Sequence, residues 1–373
     1  MRAERVLREG VTTGSCAAAA AAAAAFFIRD GRIVDSVTVD APARKLSVDV
    51  AWVRACPGGA EAGVVKDGGD DPDVTSGLTV QSRVRPRTDG QVTFCAGAGV
   101  GTVTGPGLKV QPGQPAINPV PRQMIAQAVL EVLPRGADVT VSIPGGETVA
   151  GCTYNPRLGI VGGLSVLGTS GIVRPMSEEA LKATFKADLD VKAAKGRRRF
   201  VFVFGNMGEE MTQKLLKLGP SSTVQMGNEV GFMLREARRL EVTGLILVGH
   251  SGKMIKLSAG IFQTHSRVAD GRMETLCALA ALEGAPLPVL NDIYAATTTE
   301  AVREILCRAG LESVWGRAAL AAQKKAAAYL WGDVRIETAF LDNDGQLLGA
   351  SAGLEELASE IREDEAVWEN SLS

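Results

Sequence analysis

Nine consecutive alanines, residues 17–25, constrain the fold of this chain more than any other feature of its sequence. Alanine has the highest helix propensity, because its side chain loses no rotamer freedom in a helix. Residues 12–15 supply hydroxyls for an N-cap, and Asp30-Gly31 can end the helix. The apolar run is too short to cross a bilayer, and Glu4 and Glu9 interrupt the basic region before it. We therefore interpret it as a buried helix and not as a signal peptide.

The first part of the chain, residues 1–158, is predicted to form an α+β domain. A helix is expected from Pro119 to Leu133, because proline is favoured in the first turn of a helix. Short runs rich in Val, Leu and Thr, separated by Gly, Pro or Asp, are typical of strands. They cover residues 36–40, 46–53, 78–84, 91–95 and 138–143.

The second part, residues 159–373, is predicted to form a Rossmann-like α/β domain. Residues 200–204 and 244–248 are uninterrupted apolar runs that alternate with helical segments. Such runs indicate a largely parallel sheet with both faces covered. A C-terminal hairpin over residues 334–348 and an acidic helix after Gly353 complete the predicted domain.

Composition restricts the partners and the compartment. A formal net charge of −2 gives no reason to expect binding to nucleic acid or to an anionic membrane. The chain has six cysteines without a C-x-x-C pair and only two histidines. We therefore expect a cytoplasmic protein with free thiols and without a metal site of its own. The oligomeric state stays open, a homo-oligomer included.

Two glycine-rich segments resemble nucleotide-binding loops but lack the residues that define them. Residues 97–101 precede a segment that reads as extended, whereas a dinucleotide fingerprint must open a helix. Residues 249–254 lack the first glycine of a P-loop and end in Met254 where Ser or Thr is required. A glycine-rich hairpin is therefore favoured for the first segment, and nucleotide hydrolysis is not expected of the second.

Two polar segments are candidates for a functional site. Residues 67–73 carry four carboxylates, which would lie in a solvated turn, bind a cation or engage donors of a ligand. Residues 249–271 contain both histidines, together with several basic residues, directly after an apolar strand. Because ligands of open α/β sheets bind beyond the carboxyl ends of the strands, we predict a functional role for this segment.

Eight segments occur along the chain in a distinctive order. They are VTTGSC at 11–16, VKDGGDDPDVT at 65–75, GVGTVT at 99–104, AINPVPR at 116–122, NPRLGIVGG at 155–163, GTSGIVRPM at 168–176, GHSGK at 249–253 and THSRVAD at 264–270. Together they resemble the cobalt-precorrin-5B C1-methyltransferase (CbiD) family of anaerobic cobalamin biosynthesis.

The resemblance implies transfer of the methyl group of S-adenosylmethionine to C1 of the cobalt-precorrin-5B macrocycle, which gives cobalt-precorrin-6A. Cobalt would arrive as part of that substrate. The carboxylate arms of the macrocycle require cationic side chains at the rim of the site. The expected substrate-binding residues are Lys253, Lys256, Arg267, Arg157 and Arg174, with the motif hydroxyls of Thr12, Thr13 and Ser15.

A general base could raise the nucleophilicity of C1 by removing a proton elsewhere in the conjugated ring. His265 and His250 are the first candidates for this catalytic role, and Asp67 is the third. Glycine turns could let the adenosyl group approach the backbone, as in Rossmann-like transferases. The expected cofactor-binding residues are Gly162, Gly163, Gly205 and Asn206.

Two other classes of protein stay open at this point. A nicotinamide-dependent precorrin reductase would show the absorbance of a bound cofactor. A non-catalytic tetrapyrrole-binding protein would bind the macrocycle without turning over S-adenosylmethionine.

Overall fold

The computed structural model describes residues 7–332 and 334–372. The chain divides into two compact units, Met1–Glu178 and Glu179–Ser373, each described here by itself. The boundary predicted between residues 158 and 159 lies earlier than this division. Residues 159–178 belong to the first unit because their two short strands pair with strands near residues 10 and 102.

Unit one contains a five-stranded sheet of order β4-β5-β6-β9-β7, antiparallel except for the parallel β9-β7 pair. Three antiparallel ribbons, β1-β11, β2-β3 and β8-β10, accompany it. The elements are β1 (Gly10–Val11), α1 (Thr13–Asp30), β2 (Ser36–Asp40), β3 (Lys45–Asp49), β4 (Trp52–Cys56), β5 (Gly59–Val65), β6 (Thr79–Pro86), β7 (Val92–Ala96), β8 (Thr102–Val103), α2 (Pro119–Leu130), β9 (Ala137–Ser142), α3 (Gly146–Ala150), β10 (Ile160–Val161) and β11 (Ile172–Val173).

The polyalanine helix α1 is buried, as predicted. Thr12 caps it, Gly31 ends it, and residues 17–25 are at most 3% exposed. It packs against α2, β5 and β6, and its alanines share a core with Ala60 and Ala62 of β5. Small side chains on both partners allow close approach of the two backbones. The same composition hid β5 from sequence analysis, because glycine and alanine have low strand propensity.

Unit two has a five-stranded sheet of order β13-β12-β14-β15-β16, in which only β16 is antiparallel. The largely parallel sheet and the terminal hairpin are therefore confirmed. The elements are α4 (Glu178–Ala194), which begins at the boundary, β12 (Arg199–Val203), α5 (Asn206–Leu216), β13 (Thr223–Gln225), α6 (Val230–Arg239), β14 (Gly244–His250), α7 (Ser251–Ser258), α8 (Arg272–Leu282), α9 (Leu287–Ala295), α10 (Thr299–Ala309), α11 (Ser313–Leu330), β15 (Arg335–Leu341), β16 (Leu347–Ala350) and α12 (Leu354–Leu372).

Both faces of this sheet are covered, which explains the uninterrupted apolar strands. On one face, Leu357 and Ile361 of α12 and Leu216 of α5 pack against β12, β14 and β15. On the other face, Trp315 of α11 lies with its ring centre 6.4 Å from that of Phe340. Among the helices that the structure describes, none combines the length and hydropathy that a membrane crossing needs.

Candidate functional site

The predicted site residues fall into two regions, one in each unit. In unit one, the six motif segments between residues 11 and 176 pack together, and we name them the motif cluster. Their mutual backbone hydrogen bonds run over long sequence distances, from Val11 to Asp67, Thr12 to Gly171, Thr104 to Gly159 and Ala116 to Gly101, with N···O distances of 2.8–3.2 Å. Pro121 lies beside Gly14, and so links the last segment to the start of α1. The motif set therefore describes one packed structure.

The three motif hydroxyls hold α1 to residues 167–171. Thr12 Oγ1 accepts the Ser15 N–H, Thr13 Oγ1 accepts the Leu167 N–H at 2.8 Å, and Ser15 Oγ donates to the Gly171 carbonyl at 2.7 Å. All three side chains are buried. Their hydrogen-bonding groups thus have partners inside the protein. A role for these three residues as substrate ligands stays a prediction.

The four carboxylates of the acidic loop are bonded by donors of the protein itself. The Arg8 guanidinium donates to Asp67, and the Arg8 N–H donates to Asp70 at 2.8 Å. Asp71 accepts a hydrogen bond from the Met176 N–H at 2.8 Å, and Asp73 accepts one from the Lys66 ammonium at 2.6 Å. The loop is thus neither a freely solvated turn nor an open set of ligands.

The contact with Arg8 weakens the case for Asp67 as a general base. Hydrogen bonding from Arg8, followed by that from the Gly69 N–H, lowers the pKa of Asp67 to about 2. A carboxylate with so low a pKa is a poor proton acceptor at neutral pH.

The glycine turn and the arginines of unit one have different roles. A Cβ at Gly163 would lie 2.4 Å from the Gly99 backbone, so this glycine allows close packing of the two segments. Its role as a cofactor contact stays a prediction. Gly162 is exposed and has free space beside it. The Arg174 side chain is 67% exposed, 3.4 Å from Glu9, and the Arg157 guanidinium lies 5.2 Å from the Tyr154 ring centre.

In unit two, residues 204–206 and 249–253 lie side by side at the carboxyl ends of β12 and β14. We name this place the crevice. Val203 pairs with Val248, and β13 lies on the opposite side of β12 from β14. The chain order of the strands therefore reverses between β12 and β14. Open α/β sheets bind their ligands at such a switch point.

The crevice is bordered by helix N-termini. Helix α5 begins at Asn206 and α7 begins at Ser251, and the Ser251 hydroxyl bonds to Thr299 at 3.0 Å. This contact brings the start of α10 to the start of α7. Helix N-termini carry partial positive charge and free N–H groups, and so favour anionic ligand groups.

Gly205 and Asn206, predicted to contact the adenosyl group, stand at this border. Gly205 has φ 111°, and no heavy atom lies within 4 Å of the position that a Cβ would occupy. Its backbone is thus open to close approach. The Asn206 side chain is less available, because its Oδ1 accepts a hydrogen bond from Gln225 at 2.7 Å.

His250 caps α7 with its imidazole ring. Nδ1 accepts the Gly252 N–H at 3.1 Å, so the proton of the neutral ring is on Nε2. Nε2 is buried and has no hydrogen-bond partner in the described part of the chain. The ring thus offers a donor at Nε2, and a base role for His250 stays a prediction.

The two lysines of this segment differ in availability. The Lys253 ammonium lies 5.1 Å from the Phe204 ring centre and forms no ion pair or hydrogen bond within residues 7–332 and 334–372. Burial, and then the charge of Lys256, lower the pKa of Lys253. Lys256 is buried and donates to the carbonyls of Thr264 and Ala269 at 3.0 and 2.8 Å. Lys256 thus holds the chain around His265, and its role as a substrate ligand stays a prediction.

His265 makes the same kind of contact as His250. Its Nδ1 accepts the Arg267 N–H at 3.2 Å on an exposed turn, and the Arg267 side chain is itself exposed. In both rings the Nδ1 lone pair is occupied by a backbone N–H. This geometry does not favour either histidine as a general base.

Sequence analysis missed two residues at the crevice. Phe204, which lies under Lys253, carried a usable signal because it ends an apolar strand. Glu300 has a buried Oε2 without a described partner, while its Oε1 accepts from Arg303. Only the tertiary contact between Ser251 and Thr299 brings this part of α10 close.

An open depression of about 550 Å³ also lies on unit two, between α5 and α12. Its carboxylate, Glu365, already accepts from the Gly219 N–H and from two serine hydroxyls. We assign no site there. It is lined by Gln213, Lys217, Leu218, Gly219, Arg362, Glu365 and Ala366.

Comparisons with known proteins agree with the sequence motifs. The CbiD family model matches residues 1–175, and the model described as CbiD, C-terminal domain, matches residues 263–352. A relative from Thermoanaerobacter sp. (strain X514) is 47% identical over 82% of this chain and 84% of its own length. One from Moorella thermoacetica is 41% identical over 96% and 98%. Both are named cobalt-precorrin-5B C(1)-methyltransferase.

One solved structure is similar, that of the cobalamin biosynthesis protein (cbiD) from Archaeoglobus fulgidus. It is 28% identical, covers 70% of this chain and 83% of that chain, and has a TM-score of 0.39.

Proposed function

This chain belongs to the CbiD family, and we infer that it is a cobalt-precorrin-5B C(1)-methyltransferase of cobalamin biosynthesis. The observation that carries this conclusion is 41% identity to an enzyme of that name over 96% of the chain. The enzyme methylates C1 of the macrocycle, and cobalt enters with that substrate.

We propose S-adenosylmethionine as the methyl donor and cobalt-precorrin-6A as the product. We further propose that unit two is a Rossmann-like domain that binds the donor at the crevice. The reversal of strand order and the open backbone at Gly205 support this placement. A cytoplasmic location stays a prediction, which the six free cysteines support.

For the carboxylate arms of the macrocycle, we propose Lys253, Arg267, Arg157 and Arg174. Two observations support this role. The Lys253 ammonium has no anionic partner among the residues that the structure describes, and the Arg174 side chain is exposed. An ammonium provides a point charge, whereas a guanidinium binds a carboxylate through two parallel hydrogen bonds.

Methyl transfer is an in-line displacement, for which positioning of the two substrates can contribute about 7–11 kcal/mol. A base role for His265 stays a proposal, and it would require the ring to release the Arg267 N–H. For Asp67 to act as a base, its carboxylate would first have to release the hydrogen bonds from the Arg8 guanidinium. We therefore propose that orientation supplies most of the rate.

The reductase and carrier alternatives are not favoured by the relatives' names. The glycine segment 97–101 gives a reductase no support either, because a Cβ at Gly99 would lie 1.8 Å from the Ile143 carbonyl oxygen. Backbone packed this closely leaves no room for a pyrophosphate at that glycine.

We expect the purified protein to convert S-adenosylmethionine to S-adenosylhomocysteine only when cobalt-precorrin-5B is present. The reason is that the methyl group needs the carbon nucleophile of the macrocycle. Chromatographic detection of S-adenosylhomocysteine and the mass of the methylated macrocycle would measure this. Transfer to an unrelated small acceptor, with none to the macrocycle, would contradict the proposed function.

We expect Lys253→Ala to raise the apparent KM for the macrocycle with little change in kcat. A hydrogen bond to a charged group contributes about 1.5–3 kcal/mol, which corresponds to a factor of roughly 10–150. Initial rates at varied macrocycle concentration would measure it. Lys214→Ala is the matched control, because Lys214 is exposed in the last turn of α5. Equal KM values for both variants would exclude this role of Lys253.

A further inference from the structure

We propose that His250 and Lys253 form a carboxylate-binding site at the start of α7, in which His250 is a fixed hydrogen-bond donor and not a base. The proposal rests on the proposed function, because the ligand would be one of the two substrates of that reaction. It adds a role for the imidazole that the reaction by itself does not require.

The hydrogen bonding of the His250 ring leaves one buried donor unused. Gly252 donates to Nδ1, which leaves the ring proton on Nε2. That N–H is buried and has no acceptor in the described part of the chain. Buried donors are nearly always bonded in native proteins, so an orphan at a ligand-binding edge indicates an acceptor that arrives with the ligand.

The charge at the start of α7 favours an anionic ligand. Lys253 stands in the same first turn of α7 and has no described anionic partner. The N-terminus of α7 adds partial positive charge. The nearby acid at the start of α10, Glu300, pairs with Arg303 through Oε1, while its buried Oε2 has no described partner. A neutral donor, an ammonium and a helix N-terminus together favour a carboxylate.

The other histidine provides an internal comparison. His265 Nδ1 also accepts a backbone N–H two residues ahead, so both rings make the same capping contact. Of the two imidazoles, however, only that of His250 has an Nε2 that is buried without a partner in the described part of the chain. The capping contact alone therefore does not explain the burial of Nε2.

Two substrates carry carboxylates, and the test distinguishes them. The methyl donor has one at its methionyl end, and the macrocycle has several on its side arms. S-adenosylhomocysteine retains the methionyl carboxylate, whereas 5′-methylthioadenosine lacks it. Titration calorimetry with these two probes reports the donor, and the KM for cobalt-precorrin-5B reports the macrocycle.

The decisive variants are His250→Asn and His250→Gln. Asparagine is a good N-cap whose side-chain oxygen can replace Nδ1, but it has no donor at the position of Nε2. Glutamine is longer and can place an amide N–H near that position. We expect His250→Asn to weaken binding of one carboxylate ligand roughly 10- to 150-fold, and His250→Gln to recover much of it.

The pattern of loss identifies the source of the carboxylate. Weaker binding of S-adenosylhomocysteine with unchanged binding of 5′-methylthioadenosine assigns it to the methyl donor. A rise of the same size in the KM for the macrocycle, with S-adenosylhomocysteine binding unchanged, assigns the carboxylate to a side arm of the macrocycle. Both results support the site.

Two results would overturn the proposal. One is unchanged donor binding and unchanged KM in His250→Asn. The other is loss of the single-turnover rate in both variants while both substrates still bind, which would make His250 a base. His265→Asn controls for the capping contact and should leave S-adenosylhomocysteine binding unchanged. If the wild-type protein itself neither binds S-adenosylhomocysteine nor transfers a methyl group, the proposed function fails instead.

Discussion

Replacing Asp73 by alanine should destabilise unit one by about 3–5 kcal/mol, because it leaves a buried ammonium without its partner. Lys66 is 2% exposed, and its Nζ donates to Asp73 at 2.6 Å. The expected effect is a large shift of the urea midpoint, together with faster hydrogen exchange in peptides from α1. Asp30→Ala is the control, since the Arg29–Asp30 pair is exposed and such pairs contribute about 0–1 kcal/mol.

The Lys66–Asp73 pair should make the free energy of unfolding depend on pH in the acid range. Burial acts to raise the pKa of Asp73, but hydrogen bonds from Lys66 and Thr75 outweigh it and hold this pKa below its ordinary value. A lowered folded-state pKa means that the stabilisation is present at neutral pH and is lost as the pH falls through that value. The Asp73→Ala variant should therefore lose part of the acid dependence of the wild type. Parallel pH profiles for the two proteins would contradict this assignment.

Replacing Gly99 by alanine should destabilise unit one by about 2–5 kcal/mol. Gly99 has φ 73°, and a Cβ there would lie 1.8 Å from the Ile143 carbonyl oxygen. The obstacle is backbone, so no side-chain rotation can relieve the contact. Urea unfolding of the full chain would measure the loss, with hydrogen exchange of α1 peptides to assign it to unit one.

Gly162→Ala is a matched control for this substitution. Gly162 has φ 84°, close to that of Gly99, but no heavy atom lies within 4 Å of the position that an alanine Cβ would occupy there. The Gly162→Ala variant should lose only about 1–2 kcal/mol of unfolding free energy. This is the cost of a left-handed backbone conformation for a residue with a side chain. If both variants lose the same unfolding free energy, the close packing at Gly99 does not contribute to the stability of unit one.

These two predictions change how the family motifs of unit one are interpreted. The motif hydroxyls, the acidic loop and Gly163 all have partners within the motif cluster. Their substitution should therefore act first on stability, and loss of activity in such variants would not by itself identify a substrate contact. Lys253 and His250, whose ammonium and Nε2 have no hydrogen-bond partner in the described part of the chain, lie instead at the crevice of unit two.

The sequence by itself determined the elements whose signal is local. Alanine propensity and a capping hydroxyl fix α1, because both act within one or two turns of the chain. Uninterrupted apolar runs identified β12 and β14, since a strand buried on both faces needs apolar side chains on both. The eight motifs identified the family for the same reason: each is a short, contiguous pattern.

Only the tertiary structure decided which polar groups have partners. Asp67 was a candidate base in the sequence, and Arg8, 59 residues away, occupies it. Strand β5 forms because neighbouring strands and α1 accept its small residues, although its composition disfavours a strand. Each histidine accepts a backbone N–H from two residues ahead, but only the Nε2 of His250 is buried without a described partner. Hydrogen bonding and burial depend on distant residues, and a local pattern does not contain that information.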